Sequence, residues 1–314
     1  MGYLSLGYGH PLYCQSLNEF GIPAELPRSG GNYLQRRISE TGYVDGMGAY
    51  PLFTCERWNK LPEDLRSIGR KLVSFSAVLD PFGHYNESSL REYFPDVVLP
   101  FKKHFVVNFN RPLTVCSHHL RNARKAAGQL DVELSRNPSL WLQEWITLYD
   151  QLVQRHRIGD IRRFSYCSFT RQLKIPGMIA LRAVHDGVTV GMLLFLVQNE
   201  TVYYHLGAYS ADGYRMNASS GLFSAAIDFF RTQGFSWMTL GAGAGMANTP
   251  DDGLARFKSG WSNETRIAYF CGRILNPEAY ADIVRERNIL PTPYFPAYRK
   301  GEFCKQQGQP VNKE

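Results

Sequence analysis

Lys258 follows Phe257 in the stretch Gly253-Leu254-Ala255-Arg256-Phe257-Lys258-Ser259-Gly260-Trp261, a few residues after the glycine-rich run Leu240-Gly241-Ala242-Gly243-Ala244-Gly245. A strand exit that frees backbone amides, followed by a cation on a short aromatic element, suits a bound anion or a carbonyl that becomes one. The glycine spacing is Gly-x-Gly-x-Gly with no helix directly after it, which argues against a dinucleotide fingerprint. Upstream, Tyr204 and His205 are neighbours on an expected strand, so their side chains point to opposite faces. His205 is placed to act as a base near neutral pH. Arg121, Arg124 and Lys125 fall on one short helix, with Arg121 and Lys125 four residues apart on one face, a grip for phosphate or carboxylate. No Gly-x-Ser-x-Gly elbow is present, and Gly207-Ala208-Tyr209-Ser210 does not form one. Transfer of an acyl group to an amine needs no covalent nucleophile, only a positioned amine, a route for its proton and donors for the oxyanion.

The elements that position these residues are readable from periodicity. Residues 178–184 and 188–197 flank Asp186-Gly187, a hairpin signal, and the chain turns again at Asn199-Glu200 into a strand over 201–209. A helix is expected over 218–233 with apolar positions at 222, 223, 226, 227 and 230, stopped by Gly234. Strands over 235–240 and 266–274 and a helix over 277–287 follow. Before them, Trp141, Trp145, Leu148 and Leu152 recur at helical spacing to about Arg155, a stripe for the core. A meander beside a strand–helix–strand crossover predicts an α/β fold with a mixed sheet. In the first hundred residues, strands are expected at 50–53 and 71–79 and a helix at 62–68, with a further strand at 105–109. The expected organisation is residues 1–115, 116–300 and a tail over 301–314.

Leu240-Gly241-x-Gly243 followed by Gly253-Leu254-x-x-Phe257-Lys258-x-Gly260 resembles the C-terminal signature of FemAB-like acyltransferases of the GNAT superfamily. Tyr203-Tyr204-His205-Leu206-Gly207-Ala208 and Arg121-Asn122-Ala123-Arg124-Lys125-Ala126 resemble two further segments of that family, in the family's order. The resemblance implies tandem GNAT-like domains, with two adjacent parallel strands parting to admit the acyl donor. It implies donor contacts from Gly241, Gly243, Gly245 and Phe257, with Lys258 at the reaction centre. Acceptor contacts then fall to Tyr204, Arg121, Arg124 and Lys125. The segment 211–218, Ala-Asp-Gly-Tyr-Arg-Met-Asn-Ala, lacks the glycine-rich pyrophosphate loop of many coenzyme A-using relatives. Acyl-CoA as co-substrate would therefore lean on a side chain such as Arg215. Aminoacyl-tRNA is the alternative donor, although no sustained heptads mark the coiled-coil arm that many such enzymes carry. A non-catalytic binding module is the third reading. The acceptor implied is a nucleotide-linked sugar or a cell-envelope precursor.

Composition sets the outer bounds. A chain of 314 residues with 44% hydrophobic and 20% charged content describes an ordinary globular protein. A formal charge of +7 favours anionic partners. No apolar run approaches the ~20 residues that span a bilayer, and no secretory signal is apparent, so a cytoplasmic location is expected. The six cysteines are scattered without Cys-x-x-Cys or zinc-spaced histidines, so neither a disulfide framework nor a metal is expected.

Overall fold

A computed structural model describes residues 6–69, 71–243 and 253–302. In chain order the strands are β1 (Ile22–Leu26), β2 (Gly31–Arg37), β3 (Val44–Gly48), β4 (Ser74–Val78), β5 (Val97–Asn108), β6 (Asp131–Ser135), β7 (Met178–His185), β8 (Val188–Gln198), β9 (Thr201–Tyr209), β10 (Trp237–Gly241) and β11 (Glu264–Ile274). The helices are α1 (Pro11–Ser16), α2 (Leu61–Ile68), α3 (Glu87–Tyr93), α4 (Ser117–Ala127), α5 (Leu142–His156), α6 (Tyr166–Gln172), α7 (Ala211–Arg215), α8 (Ala218–Thr232), α9 (Gly253–Ser259) and α10 (Pro277–Glu286). The strands form one mixed sheet in the order β1-β2-β3-β4-β11-β5-β10-β9-β8-β7-β6. The last strand in sequence thus inserts between β4 and β5, tying the C-terminal segment into the N-terminal half.

The meander and crossover form as expected. Asp186 (φ 48°) and Gly187 (φ 78°) make the two-residue turn whose left-handed residues match the twist of the β7–β8 hairpin. β8 is buried on both faces over most of its length, so its sequence is a continuous apolar run rather than an alternation. The chain leaves β9, crosses in α8 and returns as β10 parallel to β9. On α8, Leu222, Phe223, Ala226, Ile227 and Phe230 form the buried stripe. They pack with Ala123 and Ala126 of α4 on one face of the sheet. The other face is covered by α1, α5 and α6, where Trp145, Leu148, Tyr149 and Phe169 pack against Tyr203. Burying one such side chain contributes about 1.5–3 kcal/mol. A third core joins Phe53, Leu65, Phe75 and Phe94 with Cys271 of β11.

The first hundred residues depart furthest from expectation. Residues 50–53 form no strand, only a single bridge from Phe53 to Leu79. β1, β2 and β3 instead build the end of the sheet. β2 is buried at five of its seven positions, so the two-residue alternation that betrays a half-exposed strand is missing.

Candidate active site

β9 and β10 pair over only three positions, Trp237 with Thr201, Met238 with Val202 and Thr239 with Tyr203. Beyond them β9 continues to Tyr209, while β10 ends at Gly241. Gly241 adopts φ +73°, a conformation that disfavours any side chain, and a Cβ there would lie 3.4 Å from the Lys258 Nζ. β9 carries a bulge opposite Leu194 and Phe195, where His205 is the extra residue between Tyr204 and Leu206. The two strands therefore part where the glycine-rich segment begins.

Lys258 reaches this point from α9. It is 6% exposed, and its ammonium donates to the Ala242 carbonyl at 2.7 Å. The same ammonium lies 5.5 Å from the Tyr204 ring centroid, within reach of a cation–π attraction. α9 is held to α4 by His119, which the sequence reading did not single out. Its Nε2–H donates to the Phe257 carbonyl at 2.9 Å, and its ring stacks on Trp261 with centroids 5.0 Å apart and planes 12° apart. Gly260 makes that approach possible, since a Cβ there would sit 2.6 Å from the His119 Nε2. The Cys116 amide adds a bond to the Gly260 carbonyl at 3.0 Å. Burial holds the His119 pKa below the usual histidine value, and the carbonyl bond opposes that shift. The only advance sign of His119 was its place at the head of the arginine-rich helix.

On the opposite face of β10, the Gly241 amide donates to the Thr239 hydroxyl at 3.2 Å. That hydroxyl also lies within hydrogen-bond distance, 3.3 Å, of the His104 Nδ1. His104, on β5, is 7% exposed. Burial first, then the nearby Lys258 and Lys102 ammonium groups, pushes its pKa down to about 3. His104 was also missed, because one histidine beside the run Phe105-Val106-Val107 reads only as strand.

The other expected residues fall in several places. His205 points away from Lys258, into the core beneath α5 and α6. Its Nδ1 accepts from the Tyr8 hydroxyl at 3.0 Å, and its Nε2–H donates to the Gln172 Oε1 at 3.0 Å. Burial pushes its pKa down to about 3. With both ring nitrogens engaged and the ring neutral, it stands as a fixed structural group apart from the Lys258 side. Tyr204 faces Lys258 and packs on Phe223; its hydroxyl pKa is raised by burial. Phe257 packs between His119 and Phe223 with centroids 4.8 and 5.2 Å away. Arg121, Arg124 and Lys125 are exposed on the outer side of α4, because His119, Ala123 and Ala126 occupy its inner side. Arg124 borders a groove of about 500 Å³ between α4 and α8, and Arg121 contacts the His118 Nδ1 at 3.0 Å. Arg215 is exposed on α7 and pairs with Asp212. The expected pyrophosphate segment is α7 itself, whose Gly213 amide is already taken by the Ser210 side chain at 3.1 Å. Gly243 lies just beyond the Ala242 carbonyl, and Gly245 lies outside the described residues.

Among the described residues, no group of three or more His, Cys, Asp or Glu side chains could hold a metal ion. Among them also, no helix is long and apolar enough to cross a membrane.

Residues 116–259 match the family model described as an acetyltransferase (GNAT) domain. No curated protein matches the chain. Among solved structures, FemX superposes with a TM-score of 0.66 at 13% identity, over 90% of this chain and 94% of its own. The C-terminal domain of a putative lysylphosphatidylglycerol synthetase from Agrobacterium fabrum gives a TM-score of 0.57 at 14% identity, over 88% and 91%. L-PGS from Bacillus licheniformis gives 0.57 at 13% identity, over 90% and 97%. At these identities the likeness is one of fold. Residues 116–259, which carry α4, the parting of β9 and β10, and Lys258, are thus similar to an acetyltransferase (GNAT) domain, and the whole chain shares its fold with FemX.

Proposed function

We propose that the protein transfers an acyl group to an amine of an anionic cell-envelope precursor, with the reacting carbonyl held where β9 and β10 part. The observation that carries this reading is the buried Lys258 ammonium at the end of β10, 2.7 Å from the Ala242 carbonyl and facing Tyr204. A cation in such a dry, fixed position stabilises charge that develops on a carbonyl oxygen as the amine attacks. In that step the amine nitrogen bonds to the carbonyl carbon, negative charge collects on the oxygen beside Lys258, and the donor's thiol or hydroxyl leaves with a proton. Lys258 is the group we assign to the oxyanion; Gly241 and Ala242 shape the strand end around it.

The donor is read as an aminoacyl ester in preference to acyl-CoA. The Gly213 amide is occupied by Ser210, which leaves the 211–218 segment poorly suited to a pyrophosphate. One of the structural neighbours is named as a lysylphosphatidylglycerol synthetase, which favours a lysyl ester over a thioester here. The division of the chain near residue 115 and the acceptor, whether nucleotide-linked sugar or lipid-linked precursor, belong to the same proposal.

Incubation of the purified chain with radiolabelled aminoacyl-tRNA or with acyl-CoA, each with amine-bearing envelope precursors, tests it directly. Label from aminoacyl-tRNA appearing in the acceptor supports the reading. Transfer from acyl-CoA alone replaces the donor. Transfer from neither strikes out the enzymatic assignment.

A further inference from the structure

Arg266 stands on β11 directly across from His104 of β5, on the sheet face that also carries Tyr203, Trp237 and Thr239. Its guanidinium carbon lies 4.2 Å from the Phe82 ring centroid and 4.2 Å from that of Trp237. The ring planes of Phe82 and Trp237 are 56° apart, so the two enclose the guanidinium as a wedge. Stacking of this kind fixes the orientation of the guanidinium while leaving its N–H edge free to meet a planar or tetrahedral anion.

Among the described residues the terminal nitrogens have no such anion. Nε approaches the Glu264 Oε1 at 3.4 Å, and among the described residues neither terminal nitrogen of Arg266 has a protein acceptor. Glu264 is itself divided, since its other oxygen takes the Asn108 amide at 2.9 Å and lies 3.6 Å from Arg111. Asp80, a buried carboxylate that feels the Arg266 charge, is engaged by the Tyr203 hydroxyl at 2.8 Å, the Phe82 amide at 3.0 Å and Gln198 at 3.3 Å. Lys102 lies two residues before His104 on the same face of β5. The side chain of Arg266 remains 30% exposed, open to a ligand from solvent. β5 alone lies between β11 and β10, so the Arg266 side chain reaches Trp237 of β10 from two strands away.

We infer that Arg266, clamped by Phe82 and Trp237, binds an oxyanion of the acceptor substrate, a carboxylate or phosphate carried on the same molecule as the amine that is acylated. This inference rests on the acyl-transfer reading. It places the acceptor on the Arg266 face of the sheet and not against Arg121, Arg124 and Lys125, which project from the outer side of α4. The guanidinium fork fixes the anion, and the amine extends along β10 toward the parting with β9.

Titration of the full chain with inorganic phosphate, pyrophosphate and acetate, at ionic strength held constant with chloride, tests anion binding without any acyl donor. Saturable binding by calorimetry, accompanied by a change in tryptophan fluorescence, is the expected result. The anion that binds more tightly identifies the source as phosphate or carboxylate. Arg266→Gln should weaken binding by at least about tenfold, in line with loss of charged hydrogen bonds. Arg266→Lys, which keeps the charge and so guards against a misfolded glutamine variant, should lose most of the affinity because it lacks the planar fork. Absence of saturable binding by wild type, or equal affinity in wild type and both Arg266 variants, overturns the inference. Should anions bind through Arg266 while no acyl transfer is found, the anion site stands and the acyl-transfer reading falls. Should transfer proceed with an acceptor KM unchanged in Arg266→Gln, the anion anchor falls and the reading stands.

Discussion

The Lys258 ammonium and the Ala242 carbonyl are joined by a 2.7 Å hydrogen bond across the end of β10. The bond links α9 to the strand whose last residue, Gly241, has turned to φ +73°. The bond also fixes the Lys258 ammonium where β9 and β10 part. On that placement rests the proposed assignment of Lys258 to the reaction centre.

Replacing Lys258 with Met keeps the aliphatic stem and removes the charge. Turnover should fall at least tenfold, about 1.4 kcal/mol in the barrier, with kcat and kcat/KM falling together. Loss of the Ala242 bond should lower stability by about 1.5–3 kcal/mol, since its donor is charged. Steady-state kinetics beside a denaturant melt separates the two effects, and a fully active Lys258→Met returns Lys258 to a structural role.

Gly241→Ala should damage the same site through the backbone. The left-handed conformation costs an L-residue about 1 kcal/mol, and the new Cβ would stand 3.4 Å from the Lys258 Nζ. Expected are a stability loss of roughly that size and a larger proportional loss of kcat. Activity equal to wild type would show that the strand end has freedom this geometry denies it.

Thr239 links His104 to the Gly241 amide, so its hydroxyl should matter more than its methyl group. Thr239→Val strands the Gly241 donor and should cost about 1–3 kcal/mol in stability. Thr239→Ser should restore most of it. Equal stability of the valine and serine variants, measured by urea unfolding, would remove the link.

Burial pushes the pKa of His104 down to about 3 in the folded protein, against the ordinary histidine value of 6.5. The shift is downward, so the folded state stays neutral while the unfolded chain takes a proton. The stability this neutral burial preserves is present above about pH 6.5 and is lost as pH falls from there toward 3. The slope is about 1.4 kcal/mol per pH unit for one histidine. His205, shifted in the same direction, steepens it. Unfolding free energies measured between these limits should show the decline, and His104→Gln should flatten it. A wild-type profile with no decline would contradict burial of a neutral His104.

The meander, α8, β10 and β11 were legible in sequence because each carries its own local signal. Asp186-Gly187 makes a hairpin turn wherever it falls, and the apolar positions of 218–233 allow a helix only one buried face. The lysine–glycine pairing was likewise visible as a motif, since Gly241 and Lys258 stand close in the chain. What local pattern could not supply was the company these residues keep. His104 and Thr239 are 135 positions apart and meet only because β5 pairs with β10. Arg266 meets Phe82 and Trp237 only because β11 inserts between β4 and β5. The direction of Tyr204 and His205 was constrained by strand alternation to opposite faces, but which face held Lys258 depended on where α8 and α9 packed. Residue type and spacing determine the elements and the chemistry they carry; long-range strand order, which no local period encodes, decides which of those groups share a site.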